Sequence, residues 1–271
     1  VTNVDPQAAF TDREYHKVAP VPSTGRPSIY DCRRPQRDWY AHTFEHYIAL
    51  PRAGRVLDAG CGPGAYLPAA RAAAGPTTTL VGLDLAIGRL ELIEPIHASR
   101  VAGDVVALPF PDAAFDVVLA MHMLYHVPHV PDAVAELHRV LDRDGVLYAL
   151  TNSEHAQAEL NDLYVRHGGA SVHALGDARF SNESGGALLR TSFEQVELLE
   201  TRDSELVVTD PECIVDEFER LRYALEPGLQ PGATWAALLD GVRAEATRTI
   251  NSDGAFRISE NHGLFICRVG R

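Results

Sequence analysis

The stretch Val56-Leu57-Asp58-Ala59-Gly60-Cys61-Gly62-Pro63-Gly64 constrains the fold more than any other. An aliphatic run that ends on an acid and breaks into alternate glycines reads as a buried strand turning sharply into a helix, here Ala65 to Ala74. Gly60, Gly62 and Gly64 allow the tight turn and leave no side chain between the main chain and a ligand. The first amides of the helix lack intrahelical partners and face the same space. Such a loop suits a nucleotide-like ligand, and its surroundings decide which one.

Downstream, Thr79 to Asp84 is a second short strand ending on an acid, at a distance from Gly60 that suits a right-handed strand, helix, strand crossover. A carboxylate there can accept both hydroxyls of a ribose. A helix over Ile87 to Ala98, interrupted by Pro95, leads to a third strand, Arg100 to Val105, again with an acid at its end. Phe115 to Met121 is apolar enough to be buried on both faces. His122, Tyr125, His126 and His129 follow before an amphipathic helix over Pro131 to Leu141 and a fifth strand over Gly145 to Leu150. This alternation predicts a parallel sheet with helices on both sides. Ligands collect at the carboxyl ends of such strands, so Asp84, Asp104 and His122 should converge on the glycine loop.

The flanks are read more coarsely. Ile29 to Ala49 predicts a helix on which Tyr40, Phe44 and Tyr47 share the packed face, while Tyr30, Arg33 and Trp39 lie off that face and are free to meet a ligand. Ser153 is placed as the cap of a helix reaching about His167, and a Gly- and Ser-rich loop runs through Gly186. Val196 to Thr201 is expected as a strand. Asp210-Pro211 has the favoured start of a helix, Trp235 to Ile250 is another, and Phe256 to Ile258 and Leu264 to Val269 are strands around an Asn261-His262-Gly263 turn. The implied organisation is an N-terminal arm and lid helix over 1–50, a core over 51–209 and 251–271, and a helical insertion over 210–250 that covers a substrate.

Composition removes several classes. A net charge of −13, with basic residues scattered, argues against a nucleic-acid partner. The four cysteines form no C-x-x-C pair, so neither a zinc module nor a disulfide framework is expected, and no other metal site is read. No apolar stretch is long enough to span a membrane, and no apolar leader precedes the fold, which makes a cytoplasmic protein the default. Oligomeric state is left open, with a homodimer as one option.

Gly60-x-Gly62-x-x-Ala65 with Asp84 also satisfies a dinucleotide fingerprint. Acids gathered at the strand ends would serve a pyrophosphate poorly and a phosphate-free cation well. The motif Val56 to Gly64 resembles the first motif of class I S-adenosylmethionine-dependent methyltransferases. Gly82-Leu83-Asp84, Gly103-Asp104-Val105 with Leu108-Pro109-Phe110, Phe115 to Val118 with His126-Val127, and Glu136 to Leu141 followed by Gly145 resemble its later motifs in order. The usual Pro-Gly-Gly turn before the fifth strand is Arg143-Asp144-Gly145 here.

The resemblance implies a Rossmann-like, doubly wound α/β fold: a seven-stranded sheet, mostly parallel with an antiparallel last strand, plus the helical cap insertion. It implies S-adenosyl-L-methionine as cofactor, with Asp84 on the ribose, Asp104 and Val105 on the adenine, and Gly60 to Gly64 on the methionyl part. Asp58 is expected near its amino group, Leu85 and Met121 against it, and Tyr30 and Arg33 over its carboxylate. His122 and His126 are the candidate bases, with Tyr125 as a positioner and His122 also touching the cofactor. The expected activity is methyl transfer to O, N or C of a small molecule, a specialised metabolite being the plausible class. Transfer of an aminocarboxypropyl group, a non-catalytic regulator that binds the cofactor, and a nicotinamide oxidoreductase remain the alternatives.

Overall fold

Parallel strands need crossovers, and the glycine-loop segment supplies the first of them. In the computed structural model, which describes residues 26–170 and 179–270, strand β1 (Arg33–Arg34) and helix α1 (Trp39–His46) precede strand β2 (Arg55–Ala59). Helix α2 (Leu67–Ala73) then returns the chain to β3 (Thr79–Asp84), which pairs in parallel with β2. Helix α3 (Ile87–Leu90) leads to β4 (Ser99–Ala102), and β5 (Phe115–Met121) enters on the other side of β2. Helix α4 (Val130–Val140) connects to β6 (Leu141–Asn152) beside β5. The chain later contributes β7 (Gln195–Thr201) and β10 (His262–Arg268), giving the order β4-β3-β2-β5-β6-β10-β7. β10 runs antiparallel to both neighbours, and the other six strands share one direction. The expected doubly wound, mostly parallel sheet with an antiparallel last strand is the observed one.

The order reverses between β2 and β5, where the chain has wound outward first one way and then the other. Apolar side chains on both faces hold this centre: Val56, Leu57, Val118 and Leu119 are fully buried. One face packs on α4 through Val134, Leu137 and Val140, the other on Phe44, Leu67 and Ala70.

A second cluster lies apart from the sheet. It gathers helix α5 (Ala158–Arg166), helix α7 (Pro211–Arg220) and helix α9 (Trp235–Asp253) against a small antiparallel sheet of β1, β8 (Glu205–Val208) and β9 (Phe256–Ser259). Helix α6 (Gly185–Leu189) and helix α8 (Arg222–Leu225) are single turns between these elements. Asp210 caps α7 by accepting the Glu212 amide at 3.0 Å, as its sequence predicts.

Several local expectations change. The helix expected over Ile29 to Ala49 is a 3-10 turn at 29–32, β1, and only then α1, because Pro35 cannot donate to a helical ladder and Asp38 recaps the chain by accepting the Ala41 amide. On α1, Phe44 is buried but Tyr40 is 45% exposed, so the expected packed face is narrower than its spacing suggested. The helix after Ile87 stops at Leu90, and β4 ends at Ala102, so Asp104 stands in the loop beyond it. Ser153 does not cap α5; its hydroxyl donates to Glu183, and Gln157 in left-handed backbone begins the helix. β8 had no recognised signal, and the strand over Phe256 belongs to the small sheet. The arm expected over residues 1–25, and residues 171–178 of the expected Gly/Ser-rich loop, lie outside the described residues.

Leu119 sits fully buried at mid-β5, so Leu119→Ala should lower unfolding free energy by about 3 kcal/mol in urea titration, the scale of a large-to-small change in a close-packed core.

Candidate active site

The carboxyl ends of β2, β3, β4 and β5 open into a cavity of about 450 Å³. Gly60, Gly62, Asp84, Leu85, Asp104, Val105, Met121, His122 and His126 line it, which brings together nine of the residues singled out from the sequence. The glycine loop is held in shape before any ligand is considered. Gly60, Gly62 and Gly64 all have φ between +54° and +80°, a left-handed backbone that side chains disfavour. A Cβ at Gly62 would project into open space, with only Arg89 Nη1 at 4.0 Å, so this glycine leaves a gap in the cavity wall. Gly64 is different: it packs on Ile93 and Leu67 and shapes the turn from behind.

Asp84 ties the loop to β3. Its Oδ2 accepts the Gly62 amide at 2.7 Å and its Oδ1 accepts the Ala86 amide at 2.8 Å, which leaves each oxygen a lone pair for donors of a ligand. Asp104 is exposed at the far wall and spends one oxygen on the Val106 amide at 3.2 Å. Asp58 lies behind the loop, 2% exposed, with no hydrogen-bond partner for Oδ1 among the described residues. Burial, reinforced by the Asp84 charge, pushes its carboxyl up to about 8. An orphaned buried carboxyl beside a second acid suits a ligand that brings a positive charge. The same acids and burial push the Cys61 thiol up, so this loop cysteine stays protonated and is no nucleophile.

His122 ends the strand differently from the acids. Its backbone is left-handed, φ 54°, an uncommon conformation for a residue with a side chain, and its amide donates to the Leu150 carbonyl at 2.9 Å. That kink sets the imidazole into the wall between the first cavity and a second one of about 370 Å³. Tyr66 is the other residue common to both. Burial, then His262 and Arg33, hold the His122 imidazole down at about 3, so it is neutral throughout the physiological range.

Tyr30, Arg33 and Tyr125 line the second cavity and not the first. Arg33 is bound bidentately by Glu260, with both bonds at 2.6 Å, and its guanidinium lies 5.1 Å from the Trp39 ring centre. Burial alone would raise Glu260, but hydrogen bonds to His262 and Arg33 override it and hold the carboxyl at about 2. His262 shares a 2.8 Å hydrogen bond with Asn152 Oδ1, and its ring centre is 5.6 Å from that of His122. His126 sits on the first cavity with its ring 4.4 Å from that of Tyr125. The helical residues 211–253 line neither cavity; they pack behind the residues that do.

Sequence reasoning missed Tyr66, Asn152, Gln157 and His262. Tyr66 lies in the segment taken as helix, and His262 in a turn signal, where it is instead the first residue of β10. Its partner Asn152 lies 110 positions away, and Glu260 meets Arg33 across 227, so no local spacing could have joined them.

Residues 57–149 match the family described as "Methyltransferase domain". A demethylmenaquinone methyltransferase of Staphylococcus aureus is 33% identical over 123 residues, covering 44% of this chain and 51% of the relative. The chain thus spans about half the length of the curated relatives it matches. Among solved structures, a protein of Anabaena variabilis assigned as a methyltransferase from an antibiotic biosynthesis pathway has a TM-score of 0.59 at 17% identity, covering 83% of this chain and 95% of its own. One from Bacillus halodurans assigned as a methyltransferase has a TM-score of 0.55 at 17% identity, covering 85% and 99%. These likenesses carry the fold, and the sequence match carries the motifs. Residues 57–149 thus match a methyltransferase domain, and the chain has the Rossmann-like fold of the methyltransferase structures it resembles.

Proposed function

We propose that the chain transfers the methyl group of S-adenosylmethionine to a nucleophilic atom of a small molecule held in the second cavity. The observation that carries this is the wall the two cavities share, Tyr66 and His122. The cofactor, when bound, supplies an electrophilic methyl on a sulfonium sulfur. Asp84 is suited to accept the ribose hydroxyls, Asp104 and Val105 to border the adenine, and the loop from Gly60 to Gly64 to lie against the methionyl part. Gly62 contributes the absence of a side chain, and Asp58 a carboxyl whose charge a nearby ammonium would restore. Tyr30 and Arg33 serve the acceptor side, since Arg33 is already engaged by Glu260.

Transfer forms a bond from the acceptor atom to the methyl carbon while the carbon–sulfur bond breaks, its electrons passing to sulfur. The protein's main contribution is alignment in an enclosed site. His122, neutral and on the shared wall, can accept a hydrogen bond from an acceptor hydroxyl or amine and hold it in line, the proton freed on transfer passing to solvent; His126 and Tyr125 border it on either side. The helical insertion over 210–250 acts as a support for the acceptor side. Nothing in the site asks for a nucleic acid or a membrane, and no helix among the described residues is long and apolar enough to cross one.

Three outcomes test this. Titration with the demethylated cofactor product should show saturable binding, weakened about ten- to hundredfold by Asp84→Asn, which removes the charge while keeping an oxygen for the Gly62 amide; absence of binding by the wild type would sink the reading. Mass spectrometry of the sulfur by-product separates methyl transfer from transfer of the aminocarboxypropyl chain. Asp58 is protonated to a large extent near neutral pH, so binding of the amino-acid end should release protons into the buffer, seen as a buffer-dependent heat near pH 7 and lost in Asp58→Asn.

The same shift has a sign for stability. A carboxyl raised to about 8 binds more protons folded than unfolded, so its contribution is fully present below about pH 4 and is lost as pH rises through 8. Asp58→Asn should flatten that part of the pH dependence of Tm. For activity, His122 held at about 3 predicts no loss of kcat/KM attributable to it between pH 8 and 5. An acid limb near 6.5 that vanishes in His122→Gln would contradict the neutral assignment.

A further inference from the structure

The second cavity has a charge balance that narrows what it can hold. Arg33 is the one arginine or lysine among the described residues lining it, and Glu260, itself 1% exposed, neutralises it bidentately. The carboxylate of the lining, Asp203, is taken by Arg37 and lies 3.4 Å from His42, with the Tyr47 hydroxyl at the same distance. A ligand carboxylate or phosphate would have to displace one of these acids or be buried unpaired, and a ligand cation would have to displace an arginine. Either course costs more than a neutral ligand does.

What the cavity offers instead is ring surface. Tyr30, Trp39, Tyr40, Tyr47, Tyr66 and Tyr125 line it, in a chain that is only 7% aromatic. The Tyr40 and Tyr66 rings meet edge to face at 4.9 Å and 89°, and the Arg37 guanidinium lies 3.9 Å from the Trp39 ring centre. Rings fixed in this way present ordered faces and edges to a further ring at little entropic cost. Polar tips are interspersed: Gln157 donates to the Tyr30 hydroxyl at 3.2 Å, which leaves that hydroxyl's own proton to donate, and His122 stands at the end nearest the cofactor cavity. At about 370 Å³ the space is more than twice the roughly 150 Å³ that takes one benzene.

We infer that this cavity binds a neutral, planar aromatic molecule of about two fused rings that bears a hydroxyl group, held among Trp39, Tyr40 and Tyr66 with the hydroxyl toward His122. This rests on the second cavity being the acceptor side of a methyl-transfer site. The shape and charge balance of its walls, more than any single residue, set the selectivity.

Isothermal titration of the full chain near neutral pH with 2-naphthol, 2-naphthoate and decahydro-2-naphthol tests it. The expected result is binding of 2-naphthol at least about tenfold tighter than of either analogue. Asp203→Asn, which leaves Arg37 without its carboxylate, should narrow the gap between naphthol and naphthoate to about threefold or less. No saturable binding of 2-naphthol, equal or tighter binding of either analogue, or a gap unmoved in Asp203→Asn overturns the inference. The demethylated cofactor product is titrated separately: its binding without that of 2-naphthol rejects the aromatic site and leaves methyl transfer standing, and the reverse pattern supports the site and rejects methyl transfer.

Discussion

The Asp84 carboxylate accepts the Gly62 amide on one oxygen and the Ala86 amide on the other. It thereby fixes the glycine loop to the end of β3 and starts the next turn. Around it, the Cys61 amide donates to the Leu83 carbonyl at 2.9 Å, so loop and strand end are joined twice. A loop of three left-handed glycines has many conformations open to it, and these few bonds select one. The cavity's floor, the placing of Asp84 in its wall and the raised carboxyl of Asp58 all follow from that selection. Remove the tie and the loop loses its reason to stand open.

The second organising element is the meeting of two unlike cavities at Tyr66 and His122. One is bordered by two acids, Asp84 and Asp104, and the glycine loop, the other by rings and compensated ion pairs. Left-handed backbone at His122 carries a cost of about 1 kcal/mol or more. The β5 to β6 pairing and the bond to Leu150 hold it there. Because the imidazole is half-buried near His262 and Arg33, it stays uncharged, which keeps a cation out of the wall between the two cavities.

The parts of the site built from a strand and the loop directly after it were legible in the sequence. Asp84, Asp104 and His122 each follow a short apolar run, and the direction of a parallel strand alone decides which side of the sheet they reach. The sheet order followed from the same alternation. Legibility failed where position depends on distant pairing. Tyr30 and Arg33 were expected over the cofactor from the resemblance alone; β1 pairs with β8, and Glu260 holds Arg33 at the second cavity, contacts that no local pattern announces. Tyr40 and Tyr47 were expected to share a packed face with Phe44; Phe44 is buried and Tyr47 packs partly on the same core, but Tyr40 is half exposed and meets Tyr66 at the second cavity. His262 looked like punctuation because an Asn-His-Gly triplet is a turn pattern locally, whereas the sheet extends β10 through it.

β10 lies between β6 and β7 rather than at an edge, and it is the last strand of the sheet along the chain. During synthesis, β2 to β6 and the glycine loop leave the ribosome well before the strand that must insert beside them. The first cavity can therefore take shape early, while β6 waits with one edge unpaired. Glu260 and His262 arrive with the final strand, and only then can Arg33, made more than two hundred residues earlier, find its carboxylate. The cavity at the glycine loop is early and local, and the second cavity is completed only when β10 brings Glu260 and His262 to Arg33.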